Sequence, residues 1–321
     1  MAHVNDDTLV QRMAWRAQAH PGTLACLQKR HGVWRACTWG ELASQAQRVA
    51  TGLREAGLAE GEAVGVLSGA RLEAMVAFYA CQQAGLLPVL LNPNLAAGGM
   101  ATLAQKAAVV ALLAEDQEQV DKGLEVQGKL PRLRNIVYWD DTGMWSYKDP
   151  ILSTFEAVQE TGAQQHAKEP QLYDKLVDEG AVDDIAVLSY TSGTTGRPKG
   201  VIMTHRAMVD NAQRFYGAMK IKPDTEYLSY IAPAWATEQV IGIALGLGAP
   251  MVVNFPEGPD QVLQNIRELA VEAMVFAPRQ WESMTSSVQA RMLDAGPIRR
   301  RIYEWGLKVG HAVHVARLDG K

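Results

Sequence analysis

Cysteine is scarce in this chain. Cys26, Cys37 and Cys81 stand alone among 321 residues, too few and too scattered for a disulfide framework or a zinc site. They read as small core residues in a reducing compartment. An excess of one charge is missing too. The 31 basic and 35 acidic residues leave a net charge of −4, so nothing argues for a nucleic-acid binder, which usually shows a strongly basic domain. Met1 to Asp7 is polar and acidic, with neither a basic nor an apolar leader region. No secretory signal is expected, and the expected location is cytoplasmic. No long apolar run goes unbroken. Between Glu238 and Glu257 no residue is charged, but Gly242, Gly246, Gly248 and Pro250 interrupt a stretch otherwise long enough to cross a bilayer. It reads as a glycine-containing helix, a turn, and a buried strand from Met251 to Phe255. Disorder is excluded by the 48% of hydrophobic residues against 21% charged.

Strands and helices alternate along the chain. Leu24 to Leu27 and Val33 to Cys37 flank His31-Gly32 as a hairpin. Thr38 and Glu41 have the spacing of a capping box, followed by a helix with Leu42, Ala46, Val49 and Leu53 on one face. Ala63 to Leu67, Leu86 to Leu91 and Ala108 to Leu113 are continuous apolar runs, as strands buried on both faces of a parallel sheet must be. Residues 126–184 are broken by Pro131, Pro150 and Pro170 and read as a connector with short elements. A second alternating block follows, with strands Ile185 to Tyr190, Val201 to Met203, Leu228 to Ile231, Met251 to Phe255 and Met274 to Ala277, then a helical and basic remainder. The expected fold class is α/β, in two subdomains, 1–180 and 181–321.

The run from Tyr190 to Gly200 carries chemistry. Gly193, Gly196 and Gly200 let backbone amides turn toward an anion. Thr191, Ser192, Thr194 and Thr195 add hydroxyls, and Arg197 and Lys199 add positive charge. The combination suits a polyphosphate. It is not a Walker A loop, because Pro198 precedes Lys199 and Gly200 follows it. Dinucleotide-binding G-x-G-x-x-G, G-x-S-x-G and H-E-x-x-H motifs are absent.

Tyr190 to Gly200, read with Val201 and Thr204-His205, resembles the phosphate loop of the adenylate-forming (AMP-binding) enzymes, a superfamily of acyl-CoA synthetases, luciferases and adenylation domains. Trp39 to Gly57 with Gly61-Glu62 is similar to the family's amino-terminal helix and strand. Ala114 to Lys122, Pro278 to Glu282 and Gly296 to Gly310 resemble the long-chain acyl-CoA synthetase branch. The resemblance implies the amino-terminal domain of that fold, two stacked and mostly parallel α/β sheets with helices between and around them. It implies that ATP and a long-chain fatty acid give an acyl-adenylate and pyrophosphate, after which coenzyme A displaces AMP, with Mg²⁺ assisting. Thr191, Ser192, Gly193, Thr194, Thr195, Gly196 and Lys199 then hold the ATP phosphates, with Lys199 catalytic. No metal ligand is identified in the chain.

Pro233 to Gln239 stands where the family places a residue beside the acyl carboxylate, and many members carry histidine where this chain has Trp235. Trp235, Thr237, Glu238, Gly242 and Gly246 are the expected acyl-pocket residues, the two glycines leaving a groove on one helix face. His205 is expected to cap or pack. After Pro297, Ile298, Ile302, Trp305 and Val309 form one stripe, with Arg299, Arg300 and Lys308 elsewhere. Such a helix, 297–310, either docks on the protein's own core or touches an anionic membrane, the inner face being the expected one.

The family's magnesium-binding glutamate motif, ribose-binding aspartate motif, hinge and carboxy-terminal lysine lobe are not found in this sequence. The chain is therefore expected to be the first half of a longer, truncated enzyme, inactive alone. The alternatives are a non-enzymatic nucleotide-binding or interaction module, or a ligase for aromatic or medium-chain acids.

Overall fold

Every continuous apolar run of the first block becomes a strand of one sheet. The computed structural model describes residues 7–191, 198–219, 221–249 and 251–319. In chain order these form α1 (Leu9–Ala19), β1 (Leu24–Arg30), β2 (Val33–Thr38), α2 (Trp39–Glu55), β3 (Ala63–Leu67), α3 (Leu72–Gln83), β4 (Leu87–Leu91), α4 (Ala97–Lys106), β5 (Ala111–Ala114), α5 (Gln117–Glu125), β6 (Asn135–Tyr138), β7 (Leu152–Thr154), α6 (Phe155–Lys168), α7 (Leu172–Asp178), β8 (Ile185–Thr191), β9 (Lys199–Thr204) and α8 (His205–Met219). They continue with β10 (Glu226–Leu228), a π-helical turn (Gln239–Leu245), β11 (Val252–Phe255), α9 (Val262–Leu269), α10 (Pro278–Leu293) and α11 (Pro297–Leu318).

Two sheets result among the described residues. A seven-stranded sheet runs β7-β6-β5-β3-β4-β8-β9, and a four-stranded sheet runs β10-β11-β1-β2. All pairings in the larger sheet are parallel except β8 with β9. β3 and β5 are buried at every position, as parallel strands covered on both faces are. The connector is more than a connector: its β6 and β7 extend the parallel sheet. Both were too short, among acids and prolines, to show as strands in the sequence.

Capping fixes the helix starts. Thr38 Oγ1 accepts from Glu41 N at 3.3 Å while Thr38 N donates to the Glu41 carboxylate at 2.8 Å, the predicted reciprocal box. Thr8 and Gln11 form an unpredicted second one at α1. α3 is apolar around its circumference and correspondingly buried. Its amide at Leu72 donates to Gln28 of β1, and its Tyr79 hydroxyl donates to the Ile243 carbonyl. It thereby ties the two sheets together.

α2 and α6 cross at glycines. A Cβ on Gly162 would lie 1.8 Å from the Arg48 carbonyl oxygen, and one on Gly52 would lie 2.1 Å from that of Val158. Backbone cannot yield as a side-chain tip can. Gly162→Ala is therefore expected to destabilise the fold by roughly 3 kcal/mol. The check is a lower denaturant midpoint at unchanged slope.

The molecule divides into two compact units, one ending at Ala273 and one beginning at Met274. A boundary at residue 180 is not where the structure divides: β8 pairs with β4, and β11 pairs with β1. Met274 to Ala277 forms no strand. Among the described residues, the nearest pairing is a bridge from Tyr227 to Ala273. β10 likewise ends at Leu228 instead of running to Ile231. The second unit holds α10 and α11, neither with a buried residue.

Candidate functional site

β8 and β9 form an antiparallel hairpin with Thr191 opposite Lys199 and Tyr190 opposite Gly200. The register closes the glycine-rich loop at its base. Ser192, Gly193, Thr194, Thr195, Gly196 and Arg197 lie outside the described residues. Thr191 and Lys199, the described members of the expected phosphate-binding set, face each other across the hairpin, and both are exposed. The loop leaves the carboxyl end of β8, beside the carboxyl end of the parallel strand β4. Open parallel sheets receive ligands at that edge.

A cavity of about 380 Å³ opens at this edge. Leu90 and Asn92 line it from the end of β4, Ser189, Tyr190 and Thr191 from β8, Pro198, Val201 and Met203 from the loop base and β9, and Trp235 with Ala234 and Ala236 from the segment after β10. Its wall is largely apolar, with Asn92, Ser189 and Thr191 among the few polar residues. The Tyr190 hydroxyl donates to the Leu103 carbonyl at 3.0 Å, fixing one side of the cavity.

Of the expected acyl-pocket residues, Trp235 borders this cavity. Thr237 is exposed and lines nothing there. Glu238, Gly242 and Gly246 are buried elsewhere, and the expected groove on the glycine face is filled. A Cβ on Gly242 would lie 1.8 Å from Glu238 Oε1, and one on Gly246 would lie 3.3 Å from Val253 Cγ2. The glycines admit a carboxyl group of the same helix and a neighbouring strand, not an alkyl chain.

Glu238 is 2% exposed. The Tyr227 hydroxyl donates to its Oε2 at 2.7 Å and the Ser229 hydroxyl to its Oε1 at 2.6 Å. Burial outweighs these two donors and raises the carboxyl to about 7. The next residue, Gln239, is equally buried and bridges two parts of the site. Its Nε2 donates to the Pro233 carbonyl at 2.8 Å and to Ser189 Oγ at 2.8 Å, and the Ser189 hydroxyl returns a bond to Gln239 Oε1 at 3.1 Å. The strand feeding the loop is thus joined to the turn carrying Trp235. No spacing in the sequence signals this pair, which lies 50 residues apart.

His205 packs, as expected. Burial lowers it to about 4, and its Nδ1 accepts from the Leu9 amide at 3.3 Å. It holds α1 against the start of α8. Among the described residues, no group of three or more His, Cys, Asp or Glu converges to hold a metal ion.

The family model for AMP-binding enzymes matches residues 13–313. The chain belongs to this family. Among curated AMP-binding relatives, it is 26% identical over 305 residues to a long-chain-fatty-acid–CoA ligase, ACSBG2, of Xenopus laevis, covering 92% of this chain and 40% of the relative. It is 24% identical to fatty acyl-CoA synthetase A of Dictyostelium discoideum, covering 87% of this chain and 41% of the relative. The chain therefore spans about two fifths of the length of these relatives. The fold matches a long-chain-fatty-acid–CoA ligase (FadD1) from Archaeoglobus fulgidus with a TM-score of 0.73 at 17% identity, over 88% of this chain and 54% of that one. It also matches a fatty acyl-adenylate ligase from L. pneumophila, solved with acyl adenylate and pyrophosphate, with a TM-score of 0.63 at 18% identity, over 83% of this chain and 44% of that one.

Proposed function

We propose that this chain supplies the ATP-phosphate-binding part of an AMP-forming acid–thiol ligase that activates a long-chain fatty acid. The observation that supports the reading is the largely apolar cavity lined by Thr191, Pro198 and Trp235, with Lys199 paired across the hairpin from Thr191. A fatty acid needs such a wall for its chain, and its carboxylate needs the α-phosphate of ATP held beside it.

The chemistry asks for no protein nucleophile. A carboxylate oxygen attacks the α-phosphorus, the bond to the β-phosphate oxygen breaks, and pyrophosphate leaves. Lys199, with the amides and hydroxyls of residues 191–196, stabilises the negative charge that grows on the leaving group. The coenzyme A thiolate then attacks the acyl carbonyl, and AMP leaves with the bonding electrons. Mg²⁺ enters this reading on the ATP phosphates. The described residues offer it no cluster of ligands, and no step is assigned to it.

The test is fatty-acid-dependent exchange of pyrophosphate into ATP by the whole protein, measured across chain lengths and with aromatic acids. Long-chain acids are expected to drive exchange. Exchange driven by aromatic acids alone would overturn the substrate class, and no exchange with any acid would overturn the ligase reading. Trp235→Ala is expected to shift the preferred chain length by removing part of the wall, with little change in the Michaelis constant for ATP. Equal losses for every acid and for ATP would assign Trp235 a folding role.

A further inference from the structure

We propose that α11 is a docking helix for an anionic lipid surface, laying Ile298, Ile302, Trp305 and Val309 into the membrane interface. This goes beyond the ligase reading and does not depend on it.

The helix is 22 residues, Pro297 to Leu318, about 33 Å long at 1.5 Å per residue. That is longer than the 297–310 stretch expected from the sequence. None of its residues is buried. Ile298 is 74% exposed, Ile302 62% and Trp305 66%. With 100° per residue, Ile298, Ile302, Trp305, Val309 and Val313 fall within one narrow stripe. Scattered apolar residues on a surface need no account, but a continuous exposed stripe of this size marks an interaction face.

Charge decides what the stripe meets. Residues 297–318 contain Arg299, Arg300, Arg301, Lys308 and Arg317 against a single acid, Glu304, in a chain whose net charge is negative. The cations are not spread at random. Arg299 and Arg317 lie along one border of the stripe, and Arg301 and Lys308 lie along the other. A helix lying flat in an interface needs this arrangement: the apolar stripe enters the acyl boundary, and long side chains on both borders reach up to phosphate headgroups. The tryptophan in the stripe sits where an indole is favoured at that boundary. Arg300 follows a different rule. It lies on the far side of the helix, and its guanidinium donates to the Met292 and Leu293 carbonyls at the end of α10. The one cation used to hold the helical hairpin is the one turned away from the proposed surface. No described helix is long and apolar enough to cross a membrane, so the contact is peripheral.

The experiment is flotation of the 321-residue chain with vesicles of phosphatidylcholine alone or mixed with phosphatidylglycerol. Binding to the mixed vesicles is expected, falling as salt is raised. The double variant Arg299→Gln/Lys308→Gln should bind about fivefold more weakly for each cation removed, and Trp305→Ala should bind roughly tenfold more weakly. Among the described residues, the flanking cations make no contact that the fold requires, so the double variant carries the test if Trp305→Ala misfolds. Three results would overturn the proposal. One is no flotation with either vesicle. Another is equal flotation with both, insensitive to the double variant. The third is a solution dimer that Trp305→Ala dissociates while flotation is unchanged, which would give the face to a second copy. Flotation of the chain with no exchange by the whole protein would overturn the ligase reading alone, and exchange by the whole protein without flotation would overturn the docking alone.

Discussion

Replacing Lys199 with alanine is expected to slow fatty-acid-dependent ATP–pyrophosphate exchange by about a hundred- to a thousandfold. One preorganised electrostatic group in a site of this kind contributes roughly 3–4 kcal/mol to the transition state. Lys199 opens β9 directly opposite Thr191, so its backbone is fixed by the strand ladder, and only its side chain needs ordering. The side chain is exposed, and its removal leaves no hole in the core. The variant should therefore fold normally and lose rate, not stability. The loss should fall on the rate more than on the Michaelis constant for the acid, because the charge Lys199 answers grows as pyrophosphate departs. A Lys199→Arg variant that recovers much of the rate would show that charge is what is needed. Unchanged exchange in Lys199→Ala would remove this residue from the mechanism.

The second large effect concerns Glu238, whose carboxyl is raised from 4.5 to about 7 by burial. The folded chain binds a proton there that the unfolded chain has released. Its contribution to stability is therefore fully present below pH 4.5 and is lost as pH rises through 7. At about 1.4 kcal/mol for each tenfold difference in proton affinity, the folded state gives up about 3 kcal/mol over that window. Glu238→Gln keeps the shape and cannot ionise. Its hydroxyl partners on Tyr227 and Ser229 can rotate to serve an amide. The variant is expected to track the wild type in acid and to become the more stable protein near pH 8, as read from denaturant midpoints at a series of pH values. Parallel curves would mean that Glu238 keeps the same charge throughout. Glu238→Ala, by contrast, leaves a cavity and two buried hydroxyls unpaired, and should cost about 2–4 kcal/mol in acid, where the wild-type carboxyl is neutral.

These residues show what a sequence discloses and what it does not. Alternation of apolar runs with helical stripes disclosed the α/β class, and Thr38 with Glu41 disclosed a helix start, because both rest on neighbours a few positions apart. The strands on either side of the glycine-rich run, β8 and β9, were legible for the same reason. The glycine face was misread. Spacing shows that Gly242 leaves a notch, but not what fills it, and Glu238 four positions earlier lies on the same helix face. The bond between Ser189 and Gln239 was invisible because it is made by the fold and leaves no local pattern. Met274 to Ala277 reads as a strand by composition, yet the bridge to β10 is made one residue earlier, at Ala273. Composition marks a segment that suits a strand, not the residue at which its pairing ends.

The four-stranded sheet has a consequence in time. The amides of His31 and Gly32, at the tip of the first hairpin, donate to the carboxylate of Glu257, and His31 precedes that residue by 226 positions. β1 of the same hairpin takes β11 as its parallel neighbour. A ribosome adding about 5–20 residues per second makes the hairpin roughly 10–45 s before its partner exists. For that interval β1 offers an open row of amides and carbonyls to any other nascent chain nearby. The hairpin is made long before its partner, so the rate of translation between the two segments sets how long it is vulnerable.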